Sequence, residues 1–236
     1  MCTQQLLHLP PQKLLFCSSP PNVTKNQSFV EKCWTQNGKN CYSRVKATTL
    51  DELPPNALRR KRDPQWRGGF SLGVDLGMAR TGLALSKGFS IRPLMVLELR
   101  GQKLEVQILN IAEQEEADEF IIGLPKSFDG KETPQSNKVR SVAGRLAVRA
   151  AEMGWRVYLQ DEHGTTTEAV DRMINLGLSK SSQQSKLDAY AAMMVLERYF
   201  STSGEDTELV LPRNLELQEK LQRGPPKDVD FFSDED

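Results

Sequence analysis

Three carboxylate positions stand where carboxylates cost free energy. Asp75 lies inside the alternating run Phe70-Ser71-Leu72-Gly73-Val74-Asp75-Leu76-Gly77, with Phe70, Leu72, Val74 and Leu76 on one face and Ser71, Gly73, Asp75 and Gly77 on the other. Strict alternation marks a strand, and aspartate is disfavoured there. The glycines beside it remove side chains, so a ligand or another backbone can come close. Asp75 is therefore either a metal ligand open to a phosphate or an acceptor for the turn at Gly77-Met78. Asp161 and Glu162 directly follow the strand expected over residues 155–160. If that strand is parallel to its neighbours, the pair lies at a carboxyl end of the sheet, where α/β proteins place ligands. Neighbours in a strand point to opposite faces, so only one of the two can share the face of Asp75, and the alternation does not say which. Their competing role is to favour the N-terminus of the helix that begins near Thr165. Asp188 shares a helical stripe with Ala192, Val195 and Tyr199, where a buried charge needs a partner or a metal. Its competing role is to complete a capping box, Ser185-x-x-Asp188, at a helix start, worth about 0.3–1 kcal/mol through the helix dipole. Together the carboxylates suit Mg²⁺, which takes oxygen ligands and keeps several waters. Two such ions about 4 Å apart can activate a water and stabilise the leaving oxygen of a phosphodiester.

The elements that must position these residues form one α/β domain. Residues 70–77, 82–86 and 94–99 read as three strands joined by short turns, an antiparallel meander. Residues 102–117 carry Leu104, Ile108, Ile111 and Ala112 at helical spacing, and 120–124 are a wholly apolar run typical of a central strand. A polar loop with the turn signal Asp129-Gly130 precedes a helix over 136–153. The strand at 155–160 leads to a helix over 165–176, opened by the capping box Thr165-x-x-Glu168, and a last helix spans 185–200. The order βββαβαβαα predicts a mixed five-stranded sheet flanked by helices, the ribonuclease H-like arrangement, rather than an all-parallel sheet. The folded domain is expected over residues 61–202, starting between Arg60 and Ser71.

The net charge of zero hides a segregation: residues 1–69 carry 11 bases and 4 acids, 70–202 carry 16 and 17, and 203–236 carry 4 and 10. A uniformly basic nucleic-acid coat is excluded, while local basic contacts are not. The longest unbroken apolar run, residues 189–196, is far short of the ~20 residues that cross a bilayer. Residues 1–60 read as a transit peptide and disordered linker. The first 50 residues hold a single acid, Glu31, with nine Ser or Thr, and the first arginine is Arg44. Acid-poor, Ser/Thr-rich leaders are organellar, and the late first arginine favours a plastid over a mitochondrion. All four cysteines, Cys2, Cys17, Cys33 and Cys41, fall in this leader without a C-x-x-C spacing, so thiol chemistry and disulfides are excluded from the folded part. The cluster Arg59-Arg60-Lys61-Arg62 reads as a solvated stretch ahead of the domain. Residues 203–236 read as an acidic, mostly disordered tail with one helix over 214–221.

Four ordered motifs give a specific resemblance. Gly73-Val74-Asp75-Leu76-Gly77-Met78-Ala79-Arg80-Thr81-Gly82, Gly123-Leu124-Pro125 with Asp129-Gly130, Asp161-Glu162-His163-Gly164-Thr165, and Lys186-Leu187-Asp188-Ala189-Tyr190 resemble the motifs of the YqgF (RuvX-type) family, described as Holliday junction resolvases and as pre-16S rRNA nucleases. The resemblance implies a ribonuclease H-like fold and Mg²⁺- or Mn²⁺-dependent cleavage of structured RNA or branched DNA, with no membrane involved and a homodimer admissible. It makes Asp75, the Asp161–Glu162 pair and Asp188 the catalytic carboxylates, with Asp75, Glu162 and Asp188 as the working metal set and Asp161 the alternative at the second position. Arg80, Lys126, Lys131, Lys138, Arg140 and His163 are the expected nucleic-acid contacts. Two departures remove fixed positive charge: His163 stands where the family has arginine, and Ala79-Arg80 replaces Lys-Arg. A non-catalytic nucleic-acid-binding or assembly protein on the same fold is the rival reading. The Asp-x-Gly motif also opens the phosphate site of actin-like ATPases, but those need a second lobe that about 130 folded residues cannot supply.

Overall fold

The structure, a computed structural model, describes residues 53–66, 68–88 and 90–226. The leader with its cysteines and the acidic end after Pro226 lie outside the described residues. The sheet is built from β1 (Phe70–Leu76), β2 (Thr81–Lys87), β3 (Ser90–Leu97), β4 (Ala117–Leu124), β5 (Arg156–Asp161) and β6 (Glu208–Leu209), in the order β3-β2-β1-β4-β5-β6. The first three form the expected antiparallel meander. β4 then pairs parallel to β1, and β5 parallel to β4. This is the ribonuclease H-like order, with six strands rather than five. The sixth is missed by pattern reading because it is two residues long, joined antiparallel to β5 at the sheet edge.

Alternation sorts the sheet's side chains onto two covered faces. Leu72, Val74, Leu83, Leu85, Phe120, Ile122, Val157 and Leu159 pack with α2 (Gln102–Gln114) and α3 (Pro134–Glu152). On the other face, Ala84, Ile121 and Tyr158 pack with α5 (Lys180–Ser201), which is backed by α4 (Thr165–Asn175). Each fully buried Leu, Ile or Phe contributes roughly 1.5–3 kcal/mol, so both layers hold α5 and the ends of β1, β4 and β5 in fixed relation.

Two helix starts differ from the sequence reading. α5 begins at Lys180, with the Ser179 side chain accepting from Ser182 N, so Ser185 and Asp188 lie inside the helix and no capping box forms there. The extra turn is polar and exposed, and apolar periodicity does not register it. Thr165 does not cap α4 either: the N-cap is Gly164 in a left-handed conformation, and Thr165 Oγ1 donates to Glu162 O at 2.9 Å.

The described fold also extends past both expected boundaries. Leu53, Asn56 and Ala57 are buried, and α1 (Asn56–Arg62) is stapled to the amino ends of β4 and β5. Asn56 N donates to Glu119 Oε2 at 2.8 Å, Tyr199 Oη donates to Glu119 Oε1 at 2.6 Å, and Arg156 Nη2 reaches both Asn56 Oδ1 (3.0 Å) and Asp118 Oδ2 (2.6 Å). Burial pushes the Glu119 carboxyl up, with the Arg156 charge opposing. The first half of the basic cluster is accordingly anchored, while Lys61 and Arg62 stay exposed. Arg59 Nε donates to Pro54 O, Arg60 lies over the Phe200 ring and donates to Gly69 O, and Lys61 pairs with Glu205. At the other end α6 (Leu215–Arg223) buries Leu221 in a small cluster with Leu53 and Ala151. A region read as mostly disordered is thus partly packed, because three scattered apolar residues meet only in the tertiary fold.

Candidate active site

The carboxyl ends of β1, β4 and β5 lie side by side, and a single row of residues crosses them on the α5 face. Gly82 of β2 pairs with Asp75 of β1. Beyond the Val74↔Ile122 pair, the next step of the parallel register brings Asp75 beside Gly123, and Gly123 pairs with Gln160 of β5. The two glycines are required by what lies on them. A Cβ at Gly82 would sit 1.8 Å from Asp188 O, so the α5 backbone rests directly on β2 there. A Cβ at Gly123 would sit 2.0 Å from Glu162 Oε2, so the Glu162 carboxylate lies across β4. Asp75 stands between, flanked by Asp188 on one side and Glu162 on the other.

The electrostatics follow from that crowding. The Asp75 carboxyl is pushed up to about 6, first by burial and then by the Asp188 charge. Glu162 is pushed up to about 8 by burial, then by Asp75, then by Asp161. Desolvation and like charge both disfavour the ionised form. Glu162 Oε2 is buried without a hydrogen-bond partner. Asp188 Oδ2 is buried too and receives no hydrogen bond, although Arg80 Nε is 2.9 Å away; that contact is an ion pair off the hydrogen-bonding angle. Among the described residues no group of three or more His, Cys, Asp or Glu side chains is gathered closely enough to hold a metal ion. The donor set nevertheless fits a hard divalent cation, because two buried carboxylate oxygens that receive no hydrogen bond, one on Glu162 and one on Asp188, lie on either side of a third carboxylate.

The structure separates the Asp161–Glu162 pair. Asp161 turns away from Asp75, with Lys126 Nζ at 3.4 Å and His163 N donating to its Oδ1 at 2.9 Å. The expected nucleic-acid contacts divide as well. Arg80 is held on α5 by Asp188 and by Gln184 O at 3.5 Å, Lys126 is beside Asp161, and Lys131 pairs with Asp129 at 2.7 Å in an exposed loop. Lys138 is exposed and unpaired among the described residues. Arg140 is not brought to the carboxylates: Glu132 and Glu208 clamp it near the sheet edge, which spends its charge locally. His163 packs edge-on against Phe128, ring centroids 6.0 Å apart.

Three further residues of the site escaped the sequence reading. Gln160 is buried on the same face with Oε1 unpartnered; its only sequence signal is a polar residue at an inward position of an apolar strand. Phe128 is 95% exposed, an aromatic in a loop classed simply as polar. Arg198 fixes the loop after β5, donating to Asp161 O (3.2 Å), His163 O (2.8 Å) and Glu168 Oε1 (2.8 Å), and nothing in the sequence marks it.

Comparison with known proteins gives a consistent assignment. Residues 69–202 match the family described as RuvX, Holliday junction resolvase. A protein of Nocardioides sp. named "Putative pre-16S rRNA nuclease" is 34% identical over 142 residues, covering 58% of this chain and 90% of that protein. A protein of the same name from Shewanella oneidensis is 30% identical over 132 residues, covering 55% and 92%. Among solved structures, Thermus thermophilus RuvC in complex with a Holliday junction substrate aligns with 60% of this chain and 99% of its own, at 18% identity and a TM-score of 0.41.

Proposed function

The chain belongs to the RuvX Holliday junction resolvase family, and on that premise we propose that it is a Mg²⁺- or Mn²⁺-dependent nuclease whose metal is held by Asp75, Glu162 and Asp188. The observation that carries this reading is the glycine-cleared row. Gly82 and Gly123 admit Asp188 and Glu162 to either side of Asp75, leaving two buried carboxylate oxygens without a hydrogen bond, the one on Asp188 ion-paired with Arg80. A divalent cation bound there supplies Lewis acidity and a water of lowered pKa for attack on a phosphodiester. The chain's own residues do the rest. Glu162 must shed the proton that its raised pKa retains near neutral pH before its oxygen can ligate. Arg80 must exchange Asp188 for another anion, and a substrate phosphate is the natural one. Lys126, Lys131 and Lys138 are the proposed phosphate contacts, and Phe128 with His163 offers an aromatic surface on which an unpaired base can stack.

The relatives' names support a precursor of 16S rRNA as the substrate; the proposed cut is at its 5′ end, with branched DNA as the second choice of substrate. The leader adds a proposed site of action, the plastid, with the mitochondrion as alternative. The decisive experiment is cleavage by the full chain of a precursor rRNA and of a four-way DNA junction, with and without Mg²⁺ or Mn²⁺. Asp75→Asn and Asp188→Asn are expected to lose more than the roughly 10–100-fold that removing a residue hydrogen-bonded to a metal ligand costs, while binding survives. A wild-type protein that binds both substrates and cuts neither would establish the non-catalytic reading. A fluorescent fusion that fails to follow chlorophyll would remove the plastid.

A further inference from the structure

On the far side of the loop at residues 77–80 lies a cavity that the carboxylate site does not use. It holds about 330 Å³ between the end of β1, the start of α2 and the first turns of α3, at the small end of the range for ligand pockets. Its floor is apolar, formed by Leu76, Leu99, Leu104, Val139 and Val142. Arg100 and Lys138 are the only charged residues of its lining. Both are exposed, and among the described residues neither has an ion-pair partner. Met78, 76% exposed, stands on the rim without packing against the core.

We propose that this cavity receives one unpaired nucleotide of the nucleic-acid strand, base against the apolar floor and phosphate between Arg100 and Lys138. The inference rests on the nuclease reading above for its occupant, and three features select that occupant. A flat, largely apolar body bearing one or two negative charges matches an apolar floor beneath two unpaired cations and no acid. The wall is shared with the carboxylate site: Gly77 lines the cavity two residues after Asp75, at most ~7 Å of extended backbone away. The same loop ends in Arg80 on Asp188. A strand crossing it therefore presents one nucleotide to the cavity and a neighbouring phosphate to the carboxylates. The cavity measures the register of the cut.

The test uses the full chain carrying Asp75→Asn, which binds without cutting, and substrates with 2-aminopurine at single unpaired positions on either side of the cleavage point. One position is expected to change its fluorescence on binding. Arg100→Ala with Lys138→Ala should abolish that change and weaken the binding of substrates with an unpaired nucleotide about tenfold or more, a larger loss than a fully paired duplex suffers from the missing Lys138 charge. Val142→Phe, which fills the cavity while both cations stay in the chain, should abolish the signal and, in the chain with Asp75 intact, shift or scatter the cut position. Unchanged fluorescence and cut position in both variants, with cleavage intact, would overturn the cavity while leaving the nuclease standing. Loss of all cleavage by the wild type, with the fluorescence still governed by Arg100 and Lys138, would overturn the nuclease and keep the cavity. A free nucleoside monophosphate that binds as tightly as the strand, and is lost in the same variants, would make this a small-molecule site and overturn the proposal.

Discussion

At Asp75 and Glu162, burial and mutual repulsion act in the same direction, and both carboxyls hold protons that water would have taken from them. The sign of the consequence is fixed. A carboxyl whose folded pKa is raised contributes stability at low pH and loses it as pH rises through the folded value. For Asp75 the window runs from its ordinary value near 4 to about 6, and for Glu162 from near 4.5 to about 8. Without divalent cations the protein should therefore melt at progressively lower temperature from about pH 4 to pH 8 and level off above that. Glu162→Gln should flatten the upper half of that decline, raising the melting temperature at pH 9 by about 2–4 °C for each kcal/mol of repulsion relieved. Mg²⁺ should restore the wild type at high pH and leave the variant nearly unmoved. Calorimetry at three pH values with and without Mg²⁺ reads this directly, and parallel slopes for the two proteins would refute the electrostatic account.

Among the elements, glycine does two different jobs under the site, and the two can be told apart. At Gly82 the obstacle to a side chain is the α5 backbone, which can move only if the helix moves. Gly82→Ala should cost about 1–3 kcal/mol as overpacking and displace Asp188. At Gly123 the obstacle is the Glu162 side chain, whose carboxylate can swing away and whose Cβ, 3.2 Å off, must give by only a few tenths of an ångström. Gly123→Ala should leave the melting temperature close to wild type while reducing cleavage and abolishing stabilisation by Mg²⁺. Equal stability losses in the two would show that the distinction between backbone and side-chain contact is wrong. α1 offers a second element-scale check. A chain trimmed to start at Lys61 leaves Glu119 buried without the Asn56 N–H and Arg156 without Asn56 Oδ1. Breaking a buried charged network costs about 3–5 kcal/mol, so that chain should melt well below one trimmed to start at Glu52.

For the whole molecule, zero net charge means that nucleic-acid affinity must come from a few placed cations rather than a general field. If Arg80, Lys126, Lys131 and Lys138 each meet a phosphate, log K should fall with log salt with a slope of roughly −3 to −4. Arg140→Ala should leave the slope unchanged, because Glu132 and Glu208 already neutralise that guanidinium. It should instead destabilise the edge at β6. A salt titration of binding with each single variant gives both answers, and a slope that drops by about one for Arg140→Ala would place it back on the strand path.

The sequence by itself determined the layers and the succession of strands through β5 and marked the carboxylates as candidates, because these depend on local periodicity and on residue types in costly places. Asp75 was legible as an aspartate inside a glycine-flanked strand. Asp188 was legible only as one of two roles, and tertiary structure chose between them: three polar residues, Ser179, Lys180 and Ser181, start α5 early and carry Asp188 off the helix end onto the sheet. Choosing Glu162 over Asp161 likewise required the parallel register of β4 and β5, since alternation fixes that two neighbours diverge but not which faces inward. The docking of α1 and α6, the edge strand β6 and the latch at Arg198 were invisible beforehand for one reason. Their stabilising partners lie on other elements, from Glu168 for Arg198, 30 residues away, to Glu119 for Asn56, 63 away, and Leu53 for Leu221, farther still, and no local pattern carries a contact that only the closed fold creates.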